Sequence, residues 1–456
     1  MMNQGLNIGE QFNLKINKLG INGEGIGYKD RLAIFVDGAL PNEEVLIEIS
    51  EIFENRAVAA LKEIVKPSPF RRTPFCPIYE LCGGCQTQHM DYIKTLDDKR
   101  DLIIQAFQRY LPKKVSSKLV KSTIGSNKPL NYRNKASLPI QKIEGKNRFG
   151  MYQKNSNAFI PIESCPIQDE LINQIMISAV ALMDELGIDG IDPKTKKGYV
   201  KSLVVRVNDI HSEAQVSIIL NQKSNRLQDF VNKLIKKETS VKSVISVLHT
   251  NRHKIGFFEG DVTVLYGKDT IETKLGGYSF DLKPEAFFQL NALQADIFYQ
   301  EMVRLADLKG REVAIDAYAG IAPVSHYIHQ SVKTVYAIEI DPASCASARL
   351  SLAKNHISNV KILQSDFKRA LSGLKEKKID VMFFDPPRTG LGDDTIDLIK
   401  GFKPKKLIYG SCNPSTLAKD IAKLMDLYEL KETVPIDMFP YTSLVESVTL
   451  LTLKKV

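Results

Sequence analysis

The sequence predicts an α/β chain of three domains, and three observations support this fold class. The chain has 456 residues, and domains commonly contain about 150 residues. Short apolar–polar alternations separated by glycines fill residues 8–66, whereas residues 67–280 mix strand and helix patterns. Residues 281–456 alternate strand and helix patterns, which is typical of a parallel, doubly wound sheet.

The first domain, residues 8–66, has the pattern of a small β-barrel because its short strands are punctuated by glycine turns. The middle domain, residues 67–280, is predicted to be α+β. It contains a helix at 91–111, which is a candidate to pack on the third domain, and one clear helix at about 168–187. Three prolines break the chain between these two domains: Pro67, Pro69 and Pro74.

The third domain, residues 281–456, places polar residues where its predicted strands end. In open α/β sheets, ligands bind beyond the carboxyl ends of the strands. No G-x-G-x-x-G motif is present, so a nucleoside cofactor without a pyrophosphate, such as S-adenosylmethionine, fits better than NAD. The predicted strands are 311–318, 334–340, 360–363, 379–385 and 405–411, with helices at 291–307 and 342–355. The polar residues at the strand ends are Asp316, Glu339, Asp366, Asp385 and Cys412.

Two of the residues in this domain have the chemistry of a covalent reaction. Cys412 follows a strand and precedes a predicted helix, where backbone amides and the helix dipole stabilise a thiolate nucleophile. A buried structural cysteine is the alternative. Glu446 stands between valines near the last strand, where partial burial would suit a general base. The alternative for Glu446 is a solvated hairpin acid.

Three cysteines lie close together in the sequence CPIYELCGGC. Cys76, Cys82 and Cys85 have the spacing C-x5-C-x2-C, and Cys165 is a candidate fourth ligand. Four thiolates suit an iron–sulfur cluster or tetrahedral zinc, and the chemistry alone leaves both open. Unligated buried thiols are the remaining interpretation.

The charge distribution favours a polyanionic partner. The net charge is +9, and residues 111–160 hold eleven Lys or Arg residues but only one acid, Glu144. A block of one sign is typical of nucleic-acid binding, although a basic surface that maintains solubility is the alternative. No apolar run reaches the ~18 residues of a membrane span, and the first residues lack a signal-peptide core. We therefore expect a cytoplasmic protein without a membrane partner.

Five segments together resemble the RNA uracil-5-methyltransferase family. More narrowly, with the cysteine cluster, they resemble the 23S rRNA enzymes that carry a TRAM domain and a [4Fe–4S] cluster. The resemblance implies a TRAM, OB-like barrel at 8–66, a central RNA-binding domain with the cluster at 67–280, and a Rossmann-like class I methyltransferase domain at 281–456. The segments are NYRNKA (131–136), FFQLNALQA (287–295), DPPR (385–388), SCNP (411–414) and DMFPYTSLVE (437–446).

The resemblance also implies site residues and partners. Cys412 would be the nucleophile that adds to carbon 6 of uracil, and Glu446 the base that removes the proton from carbon 5. The expected substrate is 23S rRNA, with the T-loop uridine of tRNA as the alternative, and no obligate protein partner is indicated. S-adenosylmethionine would contact Gln289, Tyr318, Glu339, Asp366 and Asp385. A [4Fe–4S] cluster, with zinc as the alternative, would bind Cys76, Cys82, Cys85 and Cys165.

The chain departs from the family pattern at two places. The cofactor turn reads DAYAGIAP, with Ala322 and Pro323 where the family has a glycine and a polar residue. Near the expected base, Tyr441 and Leu444 replace polar, often histidine, positions. A catalytically weakened RNA-binding homologue is therefore a second alternative.

Overall fold

The computed structural model describes residues 6–154, 156–208, 212–249, 257–374 and 378–455. It contains two compact units. The first unit comprises Met1–Asn127, Pro386–Lys400 and Tyr409–Val456, and the second comprises Lys128–Asp385 and Gly401–Ile408. The three domain limits given above remain predictions. Within the described ranges, no helix combines the length and the apolar character needed to cross a membrane.

The elements are numbered in chain order. The strands are β1 (Gln11–Leu19), β2 (Gly25–Lys29), β3 (Leu32–Val36), β4 (Glu44–Phe53), β5 (Arg56–Lys66), β6 (Lys135–Ile143), β7 (Lys146–Tyr152), β8 (Phe159–Pro161), β9 (Val200–Val207), β10 (Ala214–Leu220), β11 (Val241–Leu248), β12 (Asp261–Gly267), β13 (Ile271–Leu275), β14 (Tyr278–Leu282), β15 (Val313–Ala317), β16 (Thr334–Glu339), β17 (Val360–Gln364), β18 (Val381–Phe384), β19 (Lys406–Ser411), β20 (Tyr428–Ile436) and β21 (Glu446–Leu453). The α-helices are α1 (Tyr92–Tyr110), α2 (Glu170–Leu186), α3 (Leu227–Lys237), α4 (Ala292–Ala306), α5 (Pro323–Ile328), α6 (Pro342–Lys354), α7 (Phe367–Gly373), α8 (Asp393–Phe402) and α9 (Pro414–Leu424).

The first unit begins with a closed five-stranded barrel of strand order β1-β2-β3-β5-β4. Alternate residues of these strands fill its interior, as the period of two requires; Ile16, Ile34 and Ile47 are fully buried there. The glycines of β2 allow close strand approach, since a Cβ atom on Gly27 would lie 2.6 Å from the carbonyl oxygen of Lys15. The predicted small barrel is therefore confirmed.

The rest of the first unit joins α1 to the end of the chain. Asp91 caps α1 by accepting hydrogen bonds from the amides of Ile93 and Lys94. The buried face of α1 packs against α9. Strands β20 and β21 form an antiparallel pair, and β21 is the neighbour of β19, which ends in this unit.

The second unit contains two larger sheets and a hairpin. One sheet has the order β12-β11-β10-β9-β6-β7-β8, with α2 and α3 packed on it. Strands β13 and β14 form the hairpin. The other sheet has the order β17-β16-β15-β18, continued by the start of β19. Its β17, β16, β15 and β18 are parallel and are connected through helices, so the predicted mixed α/β class is confirmed.

Candidate active site

The carboxyl ends of four adjacent parallel strands form one edge in the second unit. In register, Ala317 of β15 lies opposite Ile338 of β16 and Phe384 of β18. Glu339 in turn lies opposite Gln364 of β17. The predicted cofactor residues therefore end or follow neighbouring strands at the same edge, as the strand–helix pattern indicated; they are Tyr318, Glu339, Asp366 and Asp385.

Glu339 is held by three backbone amides. One carboxylate oxygen accepts a hydrogen bond from the amide of Gly320 at 2.8 Å. The other accepts from the amides of Ile340 and Asp341, both at 2.8 Å. These bonds fix the carboxylate beside the turn after β15 and leave lone pairs that can accept from the hydroxyls of a ribose.

Two further carboxyl groups make this edge strongly acidic. Burial raises the pKa of Asp316 to about 7, against the opposing effect of its hydrogen bonds from Ser325 and with smaller contributions from the nearby Asp385 and Glu339. Burial also raises the pKa of Asp385 to about 6. Asp316 lay within the predicted turn but was missing from the predicted cofactor contacts. Its carboxylate accepts from the amide and hydroxyl of Ser325, at 3.0 and 2.6 Å, and so holds the start of α5.

Ala322 and Pro323, which depart from the family pattern, are accommodated by the backbone of the turn after β15. Ala322 adopts a left-handed conformation, with a φ of 63°, which suits glycine better than alanine. Pro323 occupies the first turn of α5. A proline is well tolerated there because the amide that it lacks would have had no partner within the helix. The turn therefore leads into a regular helix despite both departures.

The remaining predicted cofactor residues have different surroundings. The ring of Tyr318 stacks on Phe367, with centroids 6.1 Å apart. Asp366 is exposed and caps α7 by accepting from the amide of Arg369 at 2.9 Å, so one of its oxygens has a structural role. Gln289 is buried, and its carbonyl oxygen accepts from the side chain of Asn134 at 3.1 Å.

This edge suits a cationic nucleoside. A ribose diol matches the fixed carboxylate of Glu339, and a positive sulfonium or ammonium group would stabilise the ionised forms of Asp316 and Asp385. The donor set therefore fits S-adenosylmethionine, which carries a ribose, a sulfonium and an ammonium group.

Cys412 lies in the first unit, between β19 and α9. The following residue, Asn413, caps α9 by accepting from the amide of Ser415 at 3.0 Å. Its side-chain nitrogen also donates to the carbonyl oxygen of Arg388 at 3.3 Å, as does the hydroxyl of Thr416. Two hydrogen bonds to the carbonyl of Arg388 therefore hold the loop of the predicted nucleophile against the Pro–Pro–Arg segment.

Glu446 begins β21 and is only 7% exposed, unlike a solvated hairpin acid. The next residue, Ser447, donates from its hydroxyl to the carbonyl oxygen of Ser411 at 3.5 Å. The residue before Cys412 and the residue after Glu446 are therefore in contact. Within the first unit, the predicted nucleophile and the predicted base therefore flank one contact, between the end of β19 and the start of β21.

A buried ion pair beside Glu446 was not predicted from the sequence. The ammonium of Lys99 in α1 donates to the carboxylate of Asp437 and, at 3.0 Å, to the carbonyl oxygen of Phe439. The hydroxyl of Tyr92 donates to the other oxygen of Asp437 at 2.7 Å. Burial lowers the pKa of Lys99, while the nearby Asp437 and Glu446 act in the opposite direction.

The segment from 437 to 446 is also bound to the residues that follow the cysteine cluster. The amides of Gln86 and Thr87 donate to the carbonyl oxygen of Tyr441 at 3.0 and 3.1 Å. The Tyr441 ring packs edge-on against Phe75, with centroids 4.9 Å apart. Tyr441, a departure from the family pattern, therefore contributes packing where a polar side chain was expected.

The cysteines do not form a ligand set in this structure. Across the described ranges, no group of three His, Cys, Asp or Glu side chains is arranged to hold a metal ion. Burial raises the pKa of the Cys82 thiol, and the nearby Cys76 adds to this effect. The amide of Gly84 donates to the Cys82 sulfur at 3.4 Å. The predicted [4Fe–4S] or zinc site is therefore not supported by the geometry.

Two family models and several bacterial proteins match this chain in sequence. The family model described as tRNA (uracil-5-)-methyltransferase matches residues 91–454, and the TRAM domain model matches residues 5–61. An RNA methyltransferase of Bacillus anthracis, not yet characterised, is 37% identical over 453 residues, which is 98% of each chain. A similarly named protein of Listeria monocytogenes is 37% identical over 451 residues, again 98% of each chain.

A solved structure shows the same fold. It is that of Pyrococcus abyssi tRNA (uracil-54, C5)-methyltransferase in complex with S-adenosyl-L-homocysteine, with a TM-score of 0.76 and 24% identity, over 97% of this chain and 100% of the other. The family match covers most of the chain, and the bacterial relatives match nearly all of it. The chain therefore belongs to the RNA (uracil-5-)-methyltransferase family and carries an N-terminal TRAM domain.

Proposed function

We propose that this enzyme methylates carbon 5 of a uridine in 23S rRNA, with S-adenosylmethionine as the methyl donor and a covalent Cys412–uracil adduct as the intermediate. The observation that carries the proposal is the contact between Ser447 and Ser411, which brings the start of β21 to the end of β19. Cys412 directly follows Ser411 and Glu446 directly precedes Ser447 in the chain, so this contact supports the proposal that the two residues act on one ring.

Cys412 acts first. Carbon 5 of uracil is a poor nucleophile, and addition of the Cys412 thiolate to carbon 6 produces an enolate with electron density on carbon 5. S-adenosylmethionine supplies an electrophilic methyl group, which carbon 5 accepts, releasing the neutral thioether. The carboxylate of Glu446 then removes the proton from carbon 5. Cleavage of the carbon–sulfur bond regenerates the thiolate and the aromatic ring.

The second unit holds the cofactor. Glu339 binds the ribose, with its carboxylate oriented by the amides of Gly320, Ile340 and Asp341. Asp385 balances the positive charge of the cofactor, and the raised pKa of this group reflects the cost of burying it uncompensated. Tyr318, Gln289 and Asp366 complete the contacts.

The substrate class has two candidates. The similarity of the motifs to the TRAM-bearing rRNA enzymes supports 23S rRNA. The name of the Pyrococcus abyssi structure favours tRNA as the second candidate. In both cases the target uridine has to leave its stack to reach the thiolate, and the basic segment 111–160 supplies charge for the RNA backbone.

The cysteine spacing motivates a separate structural proposal, in which Cys76, Cys82, Cys85 and Cys165 hold a [4Fe–4S] cluster. No step of the reaction passes through it. Iron and sulfide analysis of protein purified without oxygen tests the proposal, and stoichiometric zinc without iron contradicts it. Protein lacking both metals, with normal stability, indicates unligated thiols.

Covalent trapping tests the main proposal. RNA containing 5-fluorouridine stalls after methyl transfer because fluorine does not leave as a proton does. We expect a denaturation-resistant protein–RNA band that requires S-adenosylmethionine and is absent in Cys412→Ala. A band with 23S rRNA fragments supports the first substrate, and a band with tRNA alone supports the second. Absence of a band with both RNAs identifies a catalytically weakened homologue, with Ala322 and Pro323 as the residues to revert.

A further inference from the structure

The second unit contains a cavity of about 390 Å³ that the proposed reaction does not use. It lies between the start of β6, strand β9 and the segment that precedes α4. Its walls include the cations Arg133, Lys135 and Arg206 and the amide of Gln168. The volume is within the range of about 300–1,000 Å³ that is usual for small-ligand sites.

Two of the cations face each other across a strand pair. Lys135 of β6 and Arg206 of β9 are direct partners in the antiparallel register. Like charges directly opposite each other destabilise a sheet. Glu285, the acid near this pair, contributes electrostatically to both but is exposed. Lys135 and Arg206 also donate to the carbonyl oxygens of the residues on either side of Glu285, at 3.1 and 2.6 Å, but these neutral acceptors do not balance the two charges as an anion in the cavity would.

Several polar atoms in these walls lack partners. Within the described part of the chain, Nη1 of Arg206, Nε of Arg133 and Oε1 of Gln168 are buried without a hydrogen bond. Arg206 and Gln168 are each only 4% exposed. Unpaired buried polar groups are uncommon and call for an explanation. Two donors suit an anion, whereas the acceptor on Gln168 suits a hydroxyl or an amine.

We propose that this cavity binds one nucleotide of the substrate RNA, with the phosphate at Lys135 and Arg206 and the sugar or base toward Gln168. A bare phosphate leaves the Gln168 oxygen unpaired, whereas a ribose 2′-hydroxyl can donate to it. The apolar part of the wall includes Phe287, which is 72% exposed and offers a surface for stacking. The proposal rests on the proposed function for the identity of the ligand as RNA.

Binding of a phosphate is coupled to a proton. Burial and, to a smaller extent, the nearby Arg206 lower the pKa of Lys135 to about 7, against the opposing effect of Glu285. An entering phosphate favours the charged form of Lys135. RNA affinity through this site is therefore greatest below about pH 7 and falls as the pH rises. The groups that face Lys135 are Arg206, Glu285 and Arg133, together with the ring of Phe258.

The test is a phosphate scan combined with Lys135→Met in the full-length protein. Short synthetic single-stranded RNAs, each with one neutral methylphosphonate, are titrated against wild type and Lys135→Met. We expect one position at which the substitution weakens wild-type binding by about tenfold and weakens the variant much less. The control Lys236→Met removes the same charge from an exposed site on α3, outside the basic segment 111–160, and should leave the profile unchanged.

Two further measurements complete the test. Wild-type affinity should fall between about pH 6 and pH 9, and Lys135→Met should lose that dependence. Arg206→Gln serves as the second variant and should show the same coupling to the same phosphate, with folding checked by circular dichroism. A scan in which no single phosphate is coupled to Lys135 or Arg206 overturns the proposal.

The measurements distinguish an incorrect nucleotide site from an incorrect methylation proposal. If one phosphate is coupled to Lys135 but the wild type transfers no methyl group, the nucleotide site is retained and the methylation proposal is rejected. If the wild type transfers methyl groups but no phosphate is coupled, the methylation proposal is retained and the nucleotide site is rejected. Calorimetric titration with S-adenosylmethionine should give equal affinities for wild type and Lys135→Met, which separates this cavity from the cofactor residues.

Discussion

Replacing Lys99 by methionine should destabilise the first unit strongly. Both members of the Lys99–Asp437 pair are essentially inaccessible, with side chains 3% and 0% exposed. Removing one partner of a buried ion pair typically costs about 3–5 kcal/mol, because the other charge stays buried. Here Asp437 keeps its hydrogen bond from Tyr92, and the carbonyl of Phe439 keeps those from the amide and hydroxyl of Thr442, at 3.2 and 2.7 Å. We therefore expect a loss near the lower limit, about 3 kcal/mol.

Denaturant unfolding measures this loss, and hydrogen exchange in α1 and β20 identifies the unit that opens. The matched control is Lys121→Met, which removes an exposed lysine 3.8 Å from Glu432 and should change stability by less than about 1 kcal/mol. A Lys99→Met deficit no larger than the control's would refute the reasoning.

A second experiment separates the effect of the lost charge on stability from the effect of the lost packing. The double variant Lys99→Met/Asp437→Leu removes both charges and should recover much of the loss, since apolar replacement of a buried pair is often neutral or stabilising. A buried carboxylate without its cation is better tolerated when protonated. The deficit of Lys99→Met should therefore shrink as the pH falls, and a deficit independent of pH would indicate lost packing instead.

Three more outcomes follow from the site. Glu446→Gln should lower the rate of methyl transfer by about 10²–10⁴-fold with unchanged cofactor affinity, measured with radiolabelled cofactor; a near-normal rate assigns the base elsewhere. Glu339→Ala leaves three amides without their acceptor and should weaken S-adenosylmethionine binding at least about tenfold by calorimetry, so equal affinity argues against a ribose contact. Since the pKa of Asp385 is raised to about 6 and that of Asp316 to about 7, wild-type affinity for the cationic cofactor should increase as the pH rises through this range, and Asp385→Asn should remove the lower part of that increase; a wild-type profile that is flat near pH 6 contradicts this role.

Elements with strong local signals were predicted well. Helix α1, expected at 91–111, spans Tyr92–Tyr110, and α6, expected at 342–355, spans Pro342–Lys354. Both begin after an aspartate whose side chain caps the helix, which is a signal visible in the sequence. The strands β15 to β19 were each expected within about two residues of their ends.

Elements with weak local signals were missed. Helix α3 was not predicted; its cap, Arg226, makes no side-chain capping bond, and only Phe230, Val231 and Leu234 are buried. The hairpin of β13 and β14 was also missed. Each of its strands has five residues, and neither lies in the strand–helix alternation that identified the similarly short β15, β17 and β18.

Site residues divide in the same way. The sequence singled out Glu339 because it ends a strand, Asp385 because it follows one, and Cys412 because a helix begins shortly after it. Lys99 and Asp437 were missed because they are 338 residues apart in sequence, and each alone looks like an ordinary charged residue. Tertiary contact, which no local pattern encodes, gives that pair its importance.

The segment that leads to Glu446 is therefore held in place by residues from much earlier in the chain. Lys99 binds it at Asp437 and Phe439, and the amides of Gln86 and Thr87 bind it at Tyr441. Gln86 directly follows Cys85, so the cysteine segment supplies part of the support for the segment that leads to Glu446. Under the proposed mechanism, the cysteine segment therefore serves to position Glu446. Loss of the cysteine segment should therefore slow methyl transfer by displacing Glu446, and it should leave the cofactor residues of the second unit unchanged.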